Sequence, residues 1–211
     1  IASVLIGASL LAAPMIGHSA GKPGEITPAA SVNLSGGSGT TWSVIDNGGT
    51  DNGLPSGGAC NAGAQASMSD AQTTSKSDAF DLAMMYWVNN TPVGGALTQA
   101  GNTVTFASQT ISGLTVSLRY TALATDPVAR SYLSLSNATG SAISVPVTYV
   151  TNMGSDNNTQ FLSTSSGDAT VGTNDKWVIS ADSTTSPSDP VNTTVLFSGT
   201  PAVTPSTVST P

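Results

Sequence analysis

Apolar and polar residues alternate along much of this chain, and the alternation is clearest over residues 113–121. One side of that segment is apolar, whereas hydroxyl groups and one arginine occupy the other side. A period of two predicts a half-buried β-strand, with one side in the core and the other in water. The apolar side consists of Leu114, Val116, Leu118 and Tyr120, and the polar side consists of Thr115, Ser117, Arg119 and Thr121.

Further strands are predicted on both sides of this segment. Residues 143–149 alternate in the same way, but Pro146 interrupts them and predicts an edge strand or a bulge. Residues 78–88 are interpreted as a buried strand, with a helix as the alternative because apolar residues recur there at helical spacing. Shorter strand candidates cover residues 32–34, 42–45, 104–107, 132–135, 160–164, 177–180 and 194–197.

Short connections rich in glycine, asparagine and aspartate separate these segments, as in β-hairpins. All the acidic residues except Glu25 are aspartates, which suit turns better than helices. The pattern therefore predicts an all-β fold with little helix. We expect an antiparallel β-sandwich that is immunoglobulin-like or jelly-roll-like, or a larger supersandwich.

The two ends of the chain differ from this pattern. Residues 1–16 are small and apolar without a charge, which is typical of a secretory leader, although a transmembrane segment is the alternative. We predict a signal peptide over 1–20 that lacks its own start, and an N-terminal segment with the first strand over 21–41. The β-sandwich domain is then expected over 42–199. Residues 200–211 have the composition of a linker to a further part of the protein.

Composition removes several classes of function. Charged residues make up 8% of the chain and the net charge is −7, so no basic stripe is available to bind nucleic acid. The single histidine, His18, lies in the predicted leader, which excludes a Ser-His-Asp triad in the mature protein. A zinc site normally needs several His and Cys residues, and only Cys60 would remain. A lone cysteine also allows no internal disulfide.

Aspartate-bearing loops suggest calcium as the one candidate cofactor, because carboxylate oxygens are ligands that calcium prefers. Asp46 and Asp51 belong to a long glycine-rich loop over 46–63, which residues 65–77 extend with polar residues. Asp156, Asp168 and Asp175 lie in three neighbouring turns, and a hairpin between them would bring Asp156 and Asp175 to one end of the sandwich. The alternative is that these residues only form turns through side-chain hydrogen bonds.

Other side chains have simpler interpretations. Two carboxylates suffice for a glycosidase, so Asp78 with Asp81, or Asp156 with Asp168, are formal candidates, although turn formation explains them as well. The three tryptophans, which could stack on sugars, lie in apolar patterns and are predicted to pack in the core. Arg119 and Arg130 are expected to pair with Asp126.

Four segments in the second half of the chain resemble segments of known proteins. The segments concerned are VTYVTNMGSD at 147–156, TSSGD at 164–168, DKWVI at 175–179 and DPVNTTVLF at 189–197. They resemble a poorly characterised group of exported bacterial surface proteins, whose members often carry a C-terminal sorting tail of the PEP-CTERM or IPTL-CTERM kind. The resemblance covers roughly residues 78–200 and implies a structural role without catalytic residues. The sorting tail does not occur in these 211 residues.

These observations predict a secreted or cell-surface bacterial β-sandwich that is not an enzyme and has a structural or adhesive role. The alternative is a carbohydrate-binding or carbohydrate-active domain that uses aspartates and is stabilised by calcium. A surface glycan or another envelope protein is the expected partner. Membrane contact is expected only through the leader or a further C-terminal anchor.

Overall fold

Antiparallel β-strands form nearly all the regular structure in the computed structural model, which describes residues 30–46, 66–196 and 204–208. The predicted all-β sandwich fold is confirmed. Two 3-10 turns, Gly37–Gly39 and Asp156–Asn158, are the helical elements of the described residues. The strands are β1 Ala30–Ser35, β2 Thr41–Asp46, β3 Ala66–Gln72, β4 Met85–Val88, β5 Thr91–Pro92, β6 Leu97–Ala100, β7 Thr103–Phe106, β8 Gln109–Ile111, β9 Leu114–Ala122, β10 Ala129–Ser136, β11 Val147–Val150, β12 Gln160–Thr164, β13 Trp177–Ala181 and β14 Asn192–Val195.

The strands form four sheets. Three of them have three strands each, in the orders β1-β2-β3, β11-β4-β5 and β12-β13-β14. The largest sheet has the order β10-β9-β7-β6, and β8 pairs with the beginning of β9 next to β7. The long strand β9 is therefore central. β10 pairs with it on one side, and on the other side β8 pairs with the beginning of β9 and β7 with its later part.

The sequence pattern of β9 is confirmed by its burial. Residues along the strand alternate between buried and more exposed positions over its whole length. Leu118 and Tyr120 are at most 1% exposed, whereas Arg119 between them faces solvent. The apolar side of β9 thus lies in the core and its polar side forms an outer surface.

One apolar core joins three of the four sheets. Side chains from β1 to β3, from the five-stranded sheet and from the β11-β4-β5 sheet contribute to it. Phe106 meets the ring of Tyr120 edge-on at 5.7 Å, and the Tyr120 hydroxyl donates to the carbonyl oxygen of Met84 at 2.7 Å. Trp42 and Trp87 are buried, as predicted, while Trp177 is only partly buried.

The prediction of an irregular polar segment over 65–77 is wrong for its first part, where β3 pairs with β2. A bulge next to Ser43 and Val44 inserts one extra residue into β3. Met68 and Ala71 consequently both face the core although they are three positions apart. The bulge removes the period of two from the sequence, so the strand could not be recognised by alternation.

Two predicted strands begin later than expected. In 143–149 the strand starts at Val147, directly after Pro146, because proline has no N–H to donate to a ladder. Its position at the edge of its sheet agrees with the prediction. In 78–88 only Met85–Val88 is a strand, since Asp78, Leu82 and Met84 have positive φ angles that interrupt regular pairing.

The hairpin loop between β9 and β10 is held by a glycine, not by the predicted arginine–aspartate pair. The Gly37 N–H donates to the carbonyl oxygens of Leu123 and Asp126, with nitrogen–oxygen distances of 2.9 and 3.0 Å. A Cβ at Gly37 would meet the Asp126 nitrogen at 2.2 Å, so only glycine allows this approach. The Asp126 carboxylate accepts a hydrogen bond from Thr125, and within the described ranges neither arginine forms an ion pair with it.

Candidate functional site

The five predicted calcium ligands lie in separate parts of the molecule. Asp46 is buried at the end of β2, and Asp51 lies outside the described residues. Asp156 belongs to the 3-10 turn before β12, whereas Asp168 and Asp175 lie in the loop that joins β12 to β13.

The expected approach of Asp156 to Asp175 is wrong. β12 and β13 do form an antiparallel hairpin, with Gln160 opposite Ala181 and Thr164 opposite Val178. In such a hairpin the end of the first strand meets the beginning of the second. Asp156 precedes the first strand and Asp175 precedes the second, so the hairpin places them at opposite ends. The same geometry separates Asp156 from Asp168.

Asp175 and Asp168 organise the β12–β13 loop through hydrogen bonds. Asp175 accepts from the backbone N–H groups of Gly172 at 2.7 Å and Ser166 at 3.0 Å, and is 3% exposed. Desolvation tends to raise the pKa of Asp175, but the hydrogen bonds from Gly172 and Ser166 outweigh it and lower the pKa. Asp168 accepts from the Thr164 hydroxyl and the Thr170 N–H.

A different group of aspartates does come together, and we call it the acidic cluster. The negative charges of its other members contribute to raising the pKa values of Asp81 and Asp189. They come from β3, from the segment between β3 and β4, from the turn before β12 and from the connection between β13 and β14. The acidic cluster consists of Asp70, Asp78, Asp81, Asp156, Asp182 and Asp189.

Backbone contacts between distant segments assemble the acidic cluster. Residues 79–82 run beside residues 152–154, with an isolated bridge between Phe80 and Met153. The Asn192 side-chain amide donates to the carbonyl of Ala79 at 2.8 Å, which attaches β14 to the same segment. The Lys76 ammonium donates to the Pro187 carbonyl, so the only cation described beside the cluster also contacts the β13–β14 connection.

Asp81 carries the largest pKa change in the acidic cluster. Partial burial, together with the negative charges of Asp156 and Asp78, raises the pKa of the Asp81 carboxyl to about 7. A hydrogen bond between the carboxyl groups of Asp81 and Asp156 acts in the same direction. Asp81 therefore keeps its proton up to about pH 7, which removes the repulsion that its own charge would meet from the neighbouring aspartates.

We predict that Asp81→Asn stabilises the protein at pH 8. Folded Asp81 keeps its proton up to about pH 7, whereas the unfolded residue releases it near 3.8, so the folded state binds more protons between these values. Its contribution to the free energy of unfolding consequently falls as the pH rises through this window. Neighbouring groups partly desolvate Asp81, but the residue remains exposed to solvent, and water screens the repulsion. We therefore expect the variant to gain only about 1 kcal/mol at pH 8.

Urea denaturation at pH 5, 6, 7 and 8 measures this effect. Asp126→Asn serves as the control, since it removes the same charge outside the acidic cluster. The assignment would be contradicted if the stability of the wild type rose between pH 5 and pH 8 and the stability of Asp81→Asn rose in parallel with it.

The described members of the acidic cluster do not form a recognisable metal site. Within the described part of the chain, no group of three or more His, Cys, Asp or Glu side chains is arranged to hold a metal ion. The pair Asp81 and Asp156 links two loops through its hydrogen bond.

The outer side of the five-stranded sheet is the second feature of interest, and we call it the arginine face. Arg119 on β9 lies directly opposite Tyr132 on β10, and its guanidinium carbon is 4.6 Å from the centre of the tyrosine ring. Arg130 projects from the same side of β10, two residues before Tyr132. Apart from Ala100, the other members of the arginine face are threonines and serines, namely Thr98, Thr103, Thr105, Thr110, Thr115, Ser117, Thr121, Ser134 and Ser136.

The arginine face is open to solvent. Tyr132 is 56% exposed, and Arg119, Arg130 and Thr105 are also exposed. The hydroxyl groups of Thr103 and Thr121 hydrogen-bond across neighbouring strands at 3.0 Å. Hydroxyl groups, two guanidinium groups and one aromatic ring thus lie side by side on the surface of a sheet.

The strand patterns placed Arg119 and Tyr132 on separate segments, and only their register shows that they are neighbours. Arg119 lies between the buried Leu118 and Tyr120, and Tyr132 lies beside the partly buried Leu133, so each could be assigned to an outer surface from the sequence. The pairing of Tyr132 with Arg119 depends on the loop over 123–128, whose conformation is set by its contact with Gly37. The sequence showed the aspartates of the acidic cluster only as separate residues and gave no sign that they lie together.

No known protein family, curated protein or solved structure shows significant similarity to this chain. Among the described residues, no helix has the length and apolar character needed to cross a membrane.

Proposed function

We propose that this chain is a non-catalytic, exported β-sandwich module that adheres to polysaccharide at the bacterial surface. The observation that carries the proposal is the arginine face, an exposed sheet surface that combines Tyr132 with arginines and a field of hydroxyl groups. It is the adhesive surface of the module.

The chemistry of the arginine face matches that of a sugar. A sugar ring has C–H groups that pack against an aromatic ring and hydroxyl groups that hydrogen-bond to neighbouring polar groups. Tyr132 offers the ring, and the threonines and serines around it offer donors and acceptors. An antiparallel sheet with one side in the core and one in solvent presents these groups on a rigid support.

The sequence supports the location of this function outside the cytoplasm. The apolar segment over 1–16 has the character of a secretory leader, and it lies outside the described residues. The few charged residues and the abundance of threonine, serine and asparagine agree with the resemblance to exported bacterial surface proteins.

Co-sedimentation with insoluble chitin, cellulose and polygalacturonic acid tests the proposal. We expect the chain to bind at least one of these polymers, and Tyr132→Ala to weaken that binding about tenfold, as for a central aromatic contact. Val195→Ala is the matched control, because Val195 on β14 is also 56% exposed but lies on another sheet. The proposal fails if the wild-type chain binds none of the polymers, or if both variants weaken binding equally.

A further inference from the structure

The charges of this protein are segregated along its sequence. Residues 82–155 contain both arginines and a single acid, Asp126, whereas the other eleven of the twelve acids lie outside that segment. The five strands that form the largest sheet contain no aspartate or glutamate. The arginine face is therefore locally positive in a molecule whose net charge is −7.

The two arginines are positioned to act together. Arg119 pairs with Tyr132 and Thr121 pairs with Arg130, so the arginines occupy diagonal positions on neighbouring strands. Diagonal positions of this kind are about 7–8 Å apart, within the reach of one bound molecule. The stacking of Arg119 on the Tyr132 ring orients its planar group and leaves its N–H donors available at the edge.

We infer that the arginine face binds polysaccharides that carry carboxylate groups, such as uronic-acid polymers, in preference to neutral ones. The inference rests on the adhesive function proposed above and specifies its ligand. A guanidinium group donates two parallel hydrogen bonds to a carboxylate, which gives this pair both strength and geometric specificity.

A carboxylated sugar fits the arginine face better than other anionic partners do. Stable protein interfaces need apolar residues at their centre, and Tyr132 is the one large exposed apolar side chain of the described residues on this face. Nucleic acids bind through many cations that displace counterions, and two arginines supply few. A chain of sugar rings with regularly placed carboxylates uses the hydroxyl groups, the ring and the arginines together.

A matched pair of ligands tests this inference on the full 211-residue chain. Polygalacturonate and its fully methyl-esterified form have the same sugar rings, but the ester removes the carboxylate charge. In affinity electrophoresis or calorimetry we expect binding to polygalacturonate to be at least tenfold tighter than binding to the ester. We also expect the difference to shrink as the salt concentration rises from 50 to 500 mM.

Variants then assign the preference to the arginine face. The double variant Arg119→Gln/Arg130→Gln is expected to bind both forms with equal affinity, while Lys176→Gln keeps the preference because Lys176 belongs to the β12–β13 loop. Circular dichroism melting checks that the surface variants remain folded. A preference that survives in the double variant overturns the inference, because the carboxylates are then bound elsewhere.

The outcomes separate this inference from the adhesive function. Equal binding of polygalacturonate and its ester by the wild type overturns carboxylate recognition but leaves adhesion to polysaccharide standing. If the wild type binds neither form, nor chitin nor cellulose, the adhesive function itself is wrong.

Discussion

Leu118→Ala is expected to lower the free energy of unfolding by about 2–5 kcal/mol, the range for truncating a leucine in a packed core. Leu118 lies in the middle of β9, is 1% exposed and belongs to the apolar core that joins three sheets. Truncation removes buried methyl groups and leaves a cavity where the surrounding strands cannot easily close. Urea denaturation monitored by tryptophan fluorescence measures the loss.

The neighbouring residue provides the control for this prediction. Ser117 lies on the opposite side of β9, in the arginine face, and Ser117→Ala should change stability by no more than about 0.5 kcal/mol. Similar losses for both variants would show that β9 does not have one buried side and one solvent side. The sandwich arrangement would then be wrong at its central strand.

Gly154→Ala is expected to destabilise the protein by about 3 kcal/mol, at the upper end of the cost of overpacking. A Cβ at this position would lie 2.1 Å from the carbonyl oxygen of Asp78 and 2.6 Å from its carbonyl carbon. Both are backbone atoms, so no side-chain rotation can relieve the clash. The two segments must separate, which also loses the hydrogen bond from the Gly154 N–H to the Ala79 carbonyl.

The same substitution should weaken the pH dependence attributed to Asp81. Residues 153–156 carry Asp156, so moving them away from residues 78–82 breaks the carboxyl contact with Asp81. Gly172→Ala is the control, because its Cβ would meet only the Asp175 carboxylate at an ordinary 3.6 Å. We expect Gly172→Ala to change stability by no more than about 0.5 kcal/mol. Equal stability of Gly154→Ala and Gly172→Ala would show that the segments around Asp78 and Gly154 are not in contact.

Local patterns predicted the strands that have an undisturbed alternation. β9 was identified within one residue because its period of two needs no information from elsewhere in the chain. β3 was missed because its bulge places Met68 and Ala71 on one side of the sheet. The bulge is set by pairing with β2, which a local pattern does not contain.

Contacts between distant residues explain why the candidate sites were harder to predict. Asp156 and Asp175 are close in the sequence, but the hairpin separates them. Asp81 and Asp156 are far apart in the sequence, but the bridge between Phe80 and Met153 brings their segments together. Proximity along the chain was therefore a poor guide to proximity in the fold, and only tertiary pairing defines the acidic cluster.

Among the described residues, the arginine face and the acidic cluster lie on different sheets and loops, and this separation of positive from negative groups contributes an electric dipole. In the field of a negatively charged polymer layer, a dipole experiences a torque that turns its positive end toward the layer. The field acts over about 8 Å at physiological salt, so this rotation takes place during the last approach. If the arginine face recognises carboxylated polysaccharide as proposed, we expect this torque to turn the arginines toward the polymer before contact.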